Sequence, residues 1–548
     1  MIENRERPNL SDRCLSSPLT LETMMKPLIP LLTLGLALST TSALAAGKSV
    51  TVAYSSDFHT LDPAIGDDTQ NWPVEHALFV TLLTYKTGTT LTPWAATDMG
   101  KASTDDKTYT FTIRKGIRFA DGEATDAAAF KYALERMVNP KSKSPQSGKA
   151  GWFGNLVGSD AFVDGKAKDI SGIKLLNPYT IQFQLKKPDR TFLNYLATPF
   201  ASAVARKAAE KWGNDYSHHV VGNGPFTLKS WTPGQEMVLA RNPTYFDKAN
   251  AASIDEVHIL LNLNEQVALL RAQRGDVDVL GNGVPSAQFV SITQNPKYKT
   301  YMHSAIQIGT DYLYMNTQKA PFDNKLVREA VSHAIDKKRI LQLMNGRGKI
   351  ANQVLPEGLA GNDPTIKDVS YDPAKAKVLM AQAGKSGGVS TTLYTLNDEA
   401  FTKIAQAVQG QLAVIGIKAD IKALPQAEYI NTISTPGATA IGLSGWFQAY
   451  PDASDFLPIL FKSSAYVQGG WNLSGYSNKA VDTMLEQAQG LPLKASVVVY
   501  QKAQKQILSE NPWVPLFYPV QYDFVNPRVT GFDHHPVWGF IYQNWKVQ

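Results

Sequence analysis

The sequence predicts an α/β protein built from two or three lobes. Strand-like and helix-like segments alternate along the chain. About 500 residues follow the N-terminal segment, enough for more than one core. Composition is that of a globular protein, with 43% apolar and 19% charged residues.

The first element is a leader. From Met25 the chain reads M-K-P-L-I-P-L-L-T-L-G-L-A-L-S-T-T-S-A-L-A-A-G-K: a positive start at Lys26, an apolar run from Leu28 to Leu38, then small residues ending at Ala43-Leu44-Ala45. This is the pattern of a secretory signal cleaved after Ala45. Glu3, Glu6, Asp12 and Glu22 suit such a leader badly, so residues 1–45 read as an upstream extension plus signal peptide, with translation expected to start at Met24 or Met25. The apolar run is too short, and too broken by Pro30, for a membrane anchor. The single cysteine, Cys14, lies in that prefix. The exported chain is therefore expected to carry no disulfide, thiolate-bound metal, thiol nucleophile or lipid anchor, which points to a free periplasmic protein. The net charge of +6, from 54 basic and 48 acidic residues without a basic run, reads as solubility rather than a nucleic-acid surface.

Strands follow. In T-Y-T-F-T-I-R, Tyr109, Phe111 and Ile113 alternate with threonines, and Ile181, Phe183 and Leu185 repeat the pattern in T-I-Q-F-Q-L. The run from Pro225 to Arg241 reads as a hairpin turning at Pro233-Gly234, and Phe119 to Gly122 as a tight turn. Helical spacing marks one helix from an Asp323 cap to Asn345-Gly346, and another from Glu399 to Ile415 that passes through Gly416 into a strand.

Motifs for chemistry are largely missing. Gly384-Lys385-Ser386 lacks the first glycine of a phosphate loop, because Leu379 stands there, and reads as a polar turn. Gly442-Leu443-Ser444-Gly445 is no nucleophile elbow, since Phe447 replaces the closing glycine. Neighbouring histidines do not converge on one metal, so His218-His219 and His534-His535 read as surface or capping pairs. No metal site, cofactor or enzyme activity is expected. Arg114 and Arg328 read as partners of structural carboxylates.

Several separated stretches together resemble the extracytoplasmic solute-binding proteins of the peptide/nickel (oligopeptide/dipeptide-binding) family, which serve ABC importers. They are L-D-P-A (61–64), Y-T-F-T-I-R-K-G-I-R-F-A-D-G (109–122), G-N-G-P-F-T-L (222–228), R-N-P-T-Y-F (241–246), R-G-D-V-D-V (274–279), M-N-T-Q-K-A-P-F-D-N-K-L-V-R-E-A (315–330), I-G-I-K-A-D-I (415–421) and G-W-F-Q-A-Y-P-D-A-S-D-F (445–456). The resemblance implies a two-lobed periplasmic-binding-protein fold of type II that closes about a hinge, with an extra domain inserted in the first lobe. By analogy, 46–81, 220–309 and 522–548 form the first lobe, 82–219 the extra domain and 310–521 the second lobe. The hinge is expected near Thr310 to Asn316 and Pro519 to Tyr522. The implied function is capture of a peptide or peptide-like small molecule and its delivery to an inner-membrane permease, by a monomer that performs no chemistry. Affinity near micromolar, about −8 kcal/mol, suits such capture and release.

The same resemblance supplies ligand contacts. Gly445, Trp446, Phe447, Ala449, Tyr450 and Asp452 would come from the second-lobe loop, Phe58, His59 and Asn282 from the first lobe, and Tyr312, Tyr314 and Tyr518 from beside the hinge. Trp446 and the other aromatics read equally as core, and Asp452 as a turn carboxylate. In peptide-binding members an aspartate holds the ligand α-amino group at or beside the place of Ala449. Losing one partner of such a buried pair costs about 2–5 kcal/mol. Two readings follow: Asp452 or Asp455 takes over, or, as preferred, the ligand presents no α-amino group there, as with γ-linked or modified peptides, cell-wall fragments, opines or sugar conjugates. Receptors for nickel chelates or haem, an exported hydrolase and a periplasmic chaperone are the alternatives.

Overall fold

Val50 and Val52 alternate with outward threonine and serine in the strand Ser49–Ala53, which lies within a five-stranded sheet. The structure is a computed structural model that describes residues 48–548 apart from 69 and 150. The leader, its cleavage point and Cys14 lie outside the described residues. The sheet runs Val279–Leu280, Ser49–Ala53, Glu256–Leu260, Glu236–Arg241, Phe226–Thr232. Ser49–Ala53 is parallel to both neighbours and the other pairings are antiparallel. The last two strands are the expected hairpin, turning at Gly234 with φ +75°.

The strands Thr108–Thr112 and Thr180–Gln184 pair antiparallel in a four-stranded sheet with Lys101–Ala102 and Ile173–Asn177. Their inward rings Phe111 and Phe183 face the helix Ala127–Val138, which Asp126 caps by accepting the Ala128 and Ala129 amides. This apolar cluster continues without a break to Val50 and Val257 of the first sheet.

A seven-stranded sheet forms the remaining body. Gly309–Met315, buried along its whole length, pairs antiparallel with Ile441–Phe447 on one side and Trp513–Phe524 on the other. Val389–Leu396 and Ile417–Leu424 extend the sheet in parallel, joined by the helix Glu399–Val414. That helix ends as the sequence predicts, with Gly416 at φ +84° turning the chain into the next strand. Leu313 and Met315 join one apolar cluster and Tyr312 and Tyr314 another, as alternation along a strand requires. The single helix expected from Asp323 is two, Lys325–Ala334 and Lys337–Leu343. Asn324 caps the first, and Asp336 interrupts the apolar spacing by accepting the Arg339 amide to start the second.

The twelve-residue strand Trp513–Phe524 runs within the seven-stranded sheet, and the residue after it, Val525, bridges to Val279 of the first sheet. The strand's first half pairs with Gly309–Met315, and its second half, Val520 to Phe524, pairs with Met302–Ile306. Between those pairings the Gln307 amide donates to Pro519 O at 3.0 Å. The chain crosses between those two pairings at Gln307-Ile308, and the expected hinge segment near Thr310 to Asn316 falls mostly in the buried strand Gly309–Met315, which is paired on both sides. Among the described residues no helix is long and apolar enough to cross a membrane.

Candidate functional site

A cavity of about 280 Å³ opens at this crossing. One wall comes from the first sheet and the C-terminal segment: Tyr54, Asn282, Gln521, His534, His535 and Phe540, with Gln70 and Trp72 beside them. The other comes from Gln307, Ile308, Phe447 and Gln448. Gln448 Nε2 donates to Pro536 O, closing the two walls against each other.

Backbone approach shapes the first wall. The Tyr54 ring lies on Gly281, where a Cβ would come within 2.5 Å of it. Asn282 Oδ1 accepts the Ser55 amide at 2.7 Å, so its NH₂ group is left for the cleft. Asp523, fully buried, orients two other groups: His534 Nδ1 lies 2.9 Å from one oxygen, and Gln521 Nε2 donates to the other at 3.0 Å. His535 Nδ1 accepts the amides of Val537 and Trp538, both at 3.1 Å, which places the ring proton on Nε2. Burial, and then His534, pull its pKa down to about 4, so at neutral pH it is an uncharged donor. His535 Nε2, Trp72 Nε1 and Gln448 Oε1 are buried without a hydrogen-bond partner among the described residues. No Lys, Arg, Asp or Glu lines the cavity among the described residues.

The loop Gly445 to Phe456 does two things. Phe447 and Gln448 face the cavity. Beyond them the loop reaches across to the 82–219 region, where Tyr450 sets its ring edge-on to Trp152 and Tyr195 at 5.6 and 5.2 Å. Asp452 accepts both Arg190 Nη1 and Nη2 at 2.6 Å. Arg190 Nε also donates to Ser496 Oγ at 3.0 Å. Asp455 is fully buried and accepts the Ala449 amide at 2.7 Å. Burial holds its carboxyl well above the usual range, against the lowering effects of the Ala449 amide and the Trp446 indole. Both acids that could have replaced the missing clamp are thus engaged within the protein.

Of the residues singled out from sequence, the structure brings Asn282 and Phe447 to the cavity. Ala449 packs against the apolar cluster shared by the first sheet and the 82–219 region. Gly445 and Trp446 lie in the strand Ile441–Phe447, with Trp446 against Trp471. Tyr312 stacks on Trp513, Tyr314 donates to or accepts from Thr439 Oγ1 at 3.0 Å, and Tyr518 donates to Asn352 Oδ1 at 3.0 Å; all three rings are core. Phe58 is buried edge-on to Tyr54. His59 is exposed, with Nδ1 3.0 Å from Asp68 and Nε2 4.0 Å from Asp67. Exposed trios of this kind are common without an ion.

The histidine pairs divide. His218 and His219 sit at the surface on Asp215, as their sequence suggests. His534 and His535 line the cavity instead, His535 while also capping a turn, because Asp523 and the following amides fix their two rings separately. Arg328 donates to the carbonyls of Phe322, Asp323 and Glu510 rather than to a carboxylate. Gln307 and Gln521 carry no signal in sequence, since a glutamine before or within a strand is ordinary, and Gln448 is marked only by the loop 445–456 that contains it.

With this geometry in place, comparison with known proteins is informative. The profile of bacterial extracellular solute-binding proteins, family 5 Middle, matches residues 90–468. The glutathione-binding protein GsiB of Salmonella paratyphi A is 31% identical over 522 residues, 93% of this chain and 97% of that protein. Among solved structures, the periplasmic binding protein DppA of Helicobacter pylori in complex with peptide STSA superposes with a TM-score of 0.76 at 26% identity, over 91% of this chain and 98% of that one. A clavulanic acid biosynthesis oligopeptide binding protein superposes with a TM-score of 0.83 at 22% identity, over 91% of this chain and 96% of that one, which shows the shared fold. The chain belongs to family 5 of the bacterial extracellular solute-binding proteins, the peptide/nickel-type receptors of ABC importers.

Proposed function

We propose that the protein is a periplasmic receptor that captures a peptide-like small molecule between two lobes and delivers it unchanged to an inner-membrane ABC permease. On this reading the first lobe is 46–81, 220–309 and 522–548 with 82–219 inserted, and the second is 310–521. The cavity carries the reading, because its walls come from both sides of the chain crossing and meet through Gln448 and Pro536. A solute there touches both walls only when they are together, so its binding energy favours the closed shape that a permease can recognise. The relatives named for glutathione and for a bound peptide are receptors of small solutes, which supports capture of a small solute here as well. The cavity is at the small end of ligand sites, which span roughly 300–1,000 Å³, so a compact solute suits it better than a long peptide.

Small-angle scattering of the exported protein, together with mass spectrometry of solute released from it, tests this. The expected result is a smaller radius of gyration with solute bound and recovery of that solute intact. One outline with and without solute, or release of a processed product, overturns it.

A further inference from the structure

No Lys, Arg, Asp or Glu side chain lines the cavity among the described residues. Its polar side chains include five carboxamides (Gln70, Asn282, Gln307, Gln448, Gln521), the imidazoles of His534 and His535, the Tyr54 hydroxyl and the Trp72 indole N–H. Resting on the receptor reading above, we infer that this cleft selects an uncharged solute rich in hydroxyl or amide groups, and discriminates against free zwitterionic peptides.

Charge supplies the first reason. An ammonium or carboxylate brought into a closed cavity loses its hydration and must find a counter-charge or neutralise. Position 449 offers only a methyl group, packed against the opposing apolar cluster. Asp452 is saturated by the Arg190 fork, and Asp455 is buried behind the loop on the Ala449 amide. Asp523 reaches the cavity only through His534 and Gln521.

The donor and acceptor pattern supplies the second. Asn282 NH₂ is a free donor and Gln521 Oε1 a free acceptor, and Gln307 offers both, with no hydrogen bond of its side chain to the protein among the described residues; His535 Nε2 and Gln448 Oε1 are unpartnered too but buried beneath the surface. Hydroxyls and amides donate and accept at once and can use such a mixed set, whereas an ammonium only donates and a carboxylate only accepts. The rings of Tyr54, Trp72, Phe447 and Phe540 add flat apolar faces suited to the C–H face of a sugar or the plane of an amide. The volume, about 280 Å³, suits a compact solute and lies just under the roughly 300–1,000 Å³ usual for ligand sites.

The test uses the full exported chain. Calorimetric titration compares a neutral disaccharide, cellobiose, an N-acetylated dipeptide amide, the same dipeptide unblocked, and reduced glutathione, and mass spectrometry identifies the solute carried by protein taken directly from periplasm. Binding of either neutral probe well above the charged ones, or recovery of an uncharged solute, is the expected result, and the two neutral probes separate a sugar from a peptide-like source. Gln307→Leu should then weaken the neutral probe about tenfold, the worth of one hydrogen bond, with the apo melting temperature unchanged. Tight binding of glutathione or the free dipeptide, or recovery of a zwitterion, overturns the neutral specificity while leaving the receptor standing. Absence of any bound or recovered solute overturns the receptor reading and this inference with it.

Discussion

At Gly445 a Cβ would come within 2.5 Å of Asp311 Oδ1 on the adjacent strand, so the glycine makes room for a carboxyl rather than for a ligand. Asp311 is 7% exposed, and burial, then Asp398, raise its pKa to about 7. A carboxyl raised in the folded state holds a proton that the unfolded chain has already lost. Its effect on stability is therefore absent below about pH 4, grows as a penalty from pH 4 to 7, and is complete above that, at up to roughly 4 kcal/mol. Asp311→Asn keeps the shape and removes the titration. Its thermal midpoint should exceed that of the parent at pH 8 and approach it at pH 4; a gap that does not change with pH would contradict the buried carboxyl.

Two elements meet where the loop Gly445 to Phe456 crosses to the segment carrying Arg190. Breaking a buried ion pair from one side typically costs about 3–5 kcal/mol, because the partner is left charged and dry. Arg190→Ala should thus weaken solute affinity at least tenfold by penalising the closed form, and adding Asp452→Asn should recover part of the loss, since the stranded charge is then gone. Strictly additive losses in titration calorimetry would mean that the pair does not couple the two sides. This contact also marks how far sequence can be read. The strands around Phe111 and Phe183, the Gly234 turn and the Gly416 junction were legible because local periodicity and backbone preference decide them. The break at Asp336 was not, because the apolar spacing runs through it and only the cap reveals it. Of the contacts expected from the resemblance, Asn282 and Phe447 are the ones that line the candidate cavity among the described residues. Tyr450 and Asp452, placed by resemblance at the ligand, answer to Trp152 and Arg190 some three hundred residues away in the chain, and no local pattern carries such a pairing.

Across the whole molecule, the apolar interior divides at the crossing. Clusters built on Val50 and on Leu269 serve the first sheet and the 82–219 region, and clusters built on Leu313 and on Tyr312 serve the seven-stranded sheet. Contacts that join the two halves include the paired strands Met302–Ile306 and Trp513–Phe524, Ala449 and Tyr450 seated in the first cluster, Arg190 held by Asp452 and Ser496, Gln448 donating to Pro536 O, and Arg347 donating to Ser286 Oγ at 2.9 Å. Cooperative unfolding as one unit requires coupling comparable to the stability of each part. Scanning calorimetry of the solute-free protein should therefore show two overlapping transitions, and the Tyr450→Ala/Arg190→Ala variant should separate them further. Solute that touches both walls stabilises the joined state by about 2.7 kcal/mol at a hundredfold excess over Kd, so saturation should raise the lower transition and merge the pair. A single transition in the double variant, with calorimetric and van't Hoff enthalpies equal, would show that the strands at Gln307-Ile308 bind the halves into one cooperative body, and a receptor so built would have no hinge there.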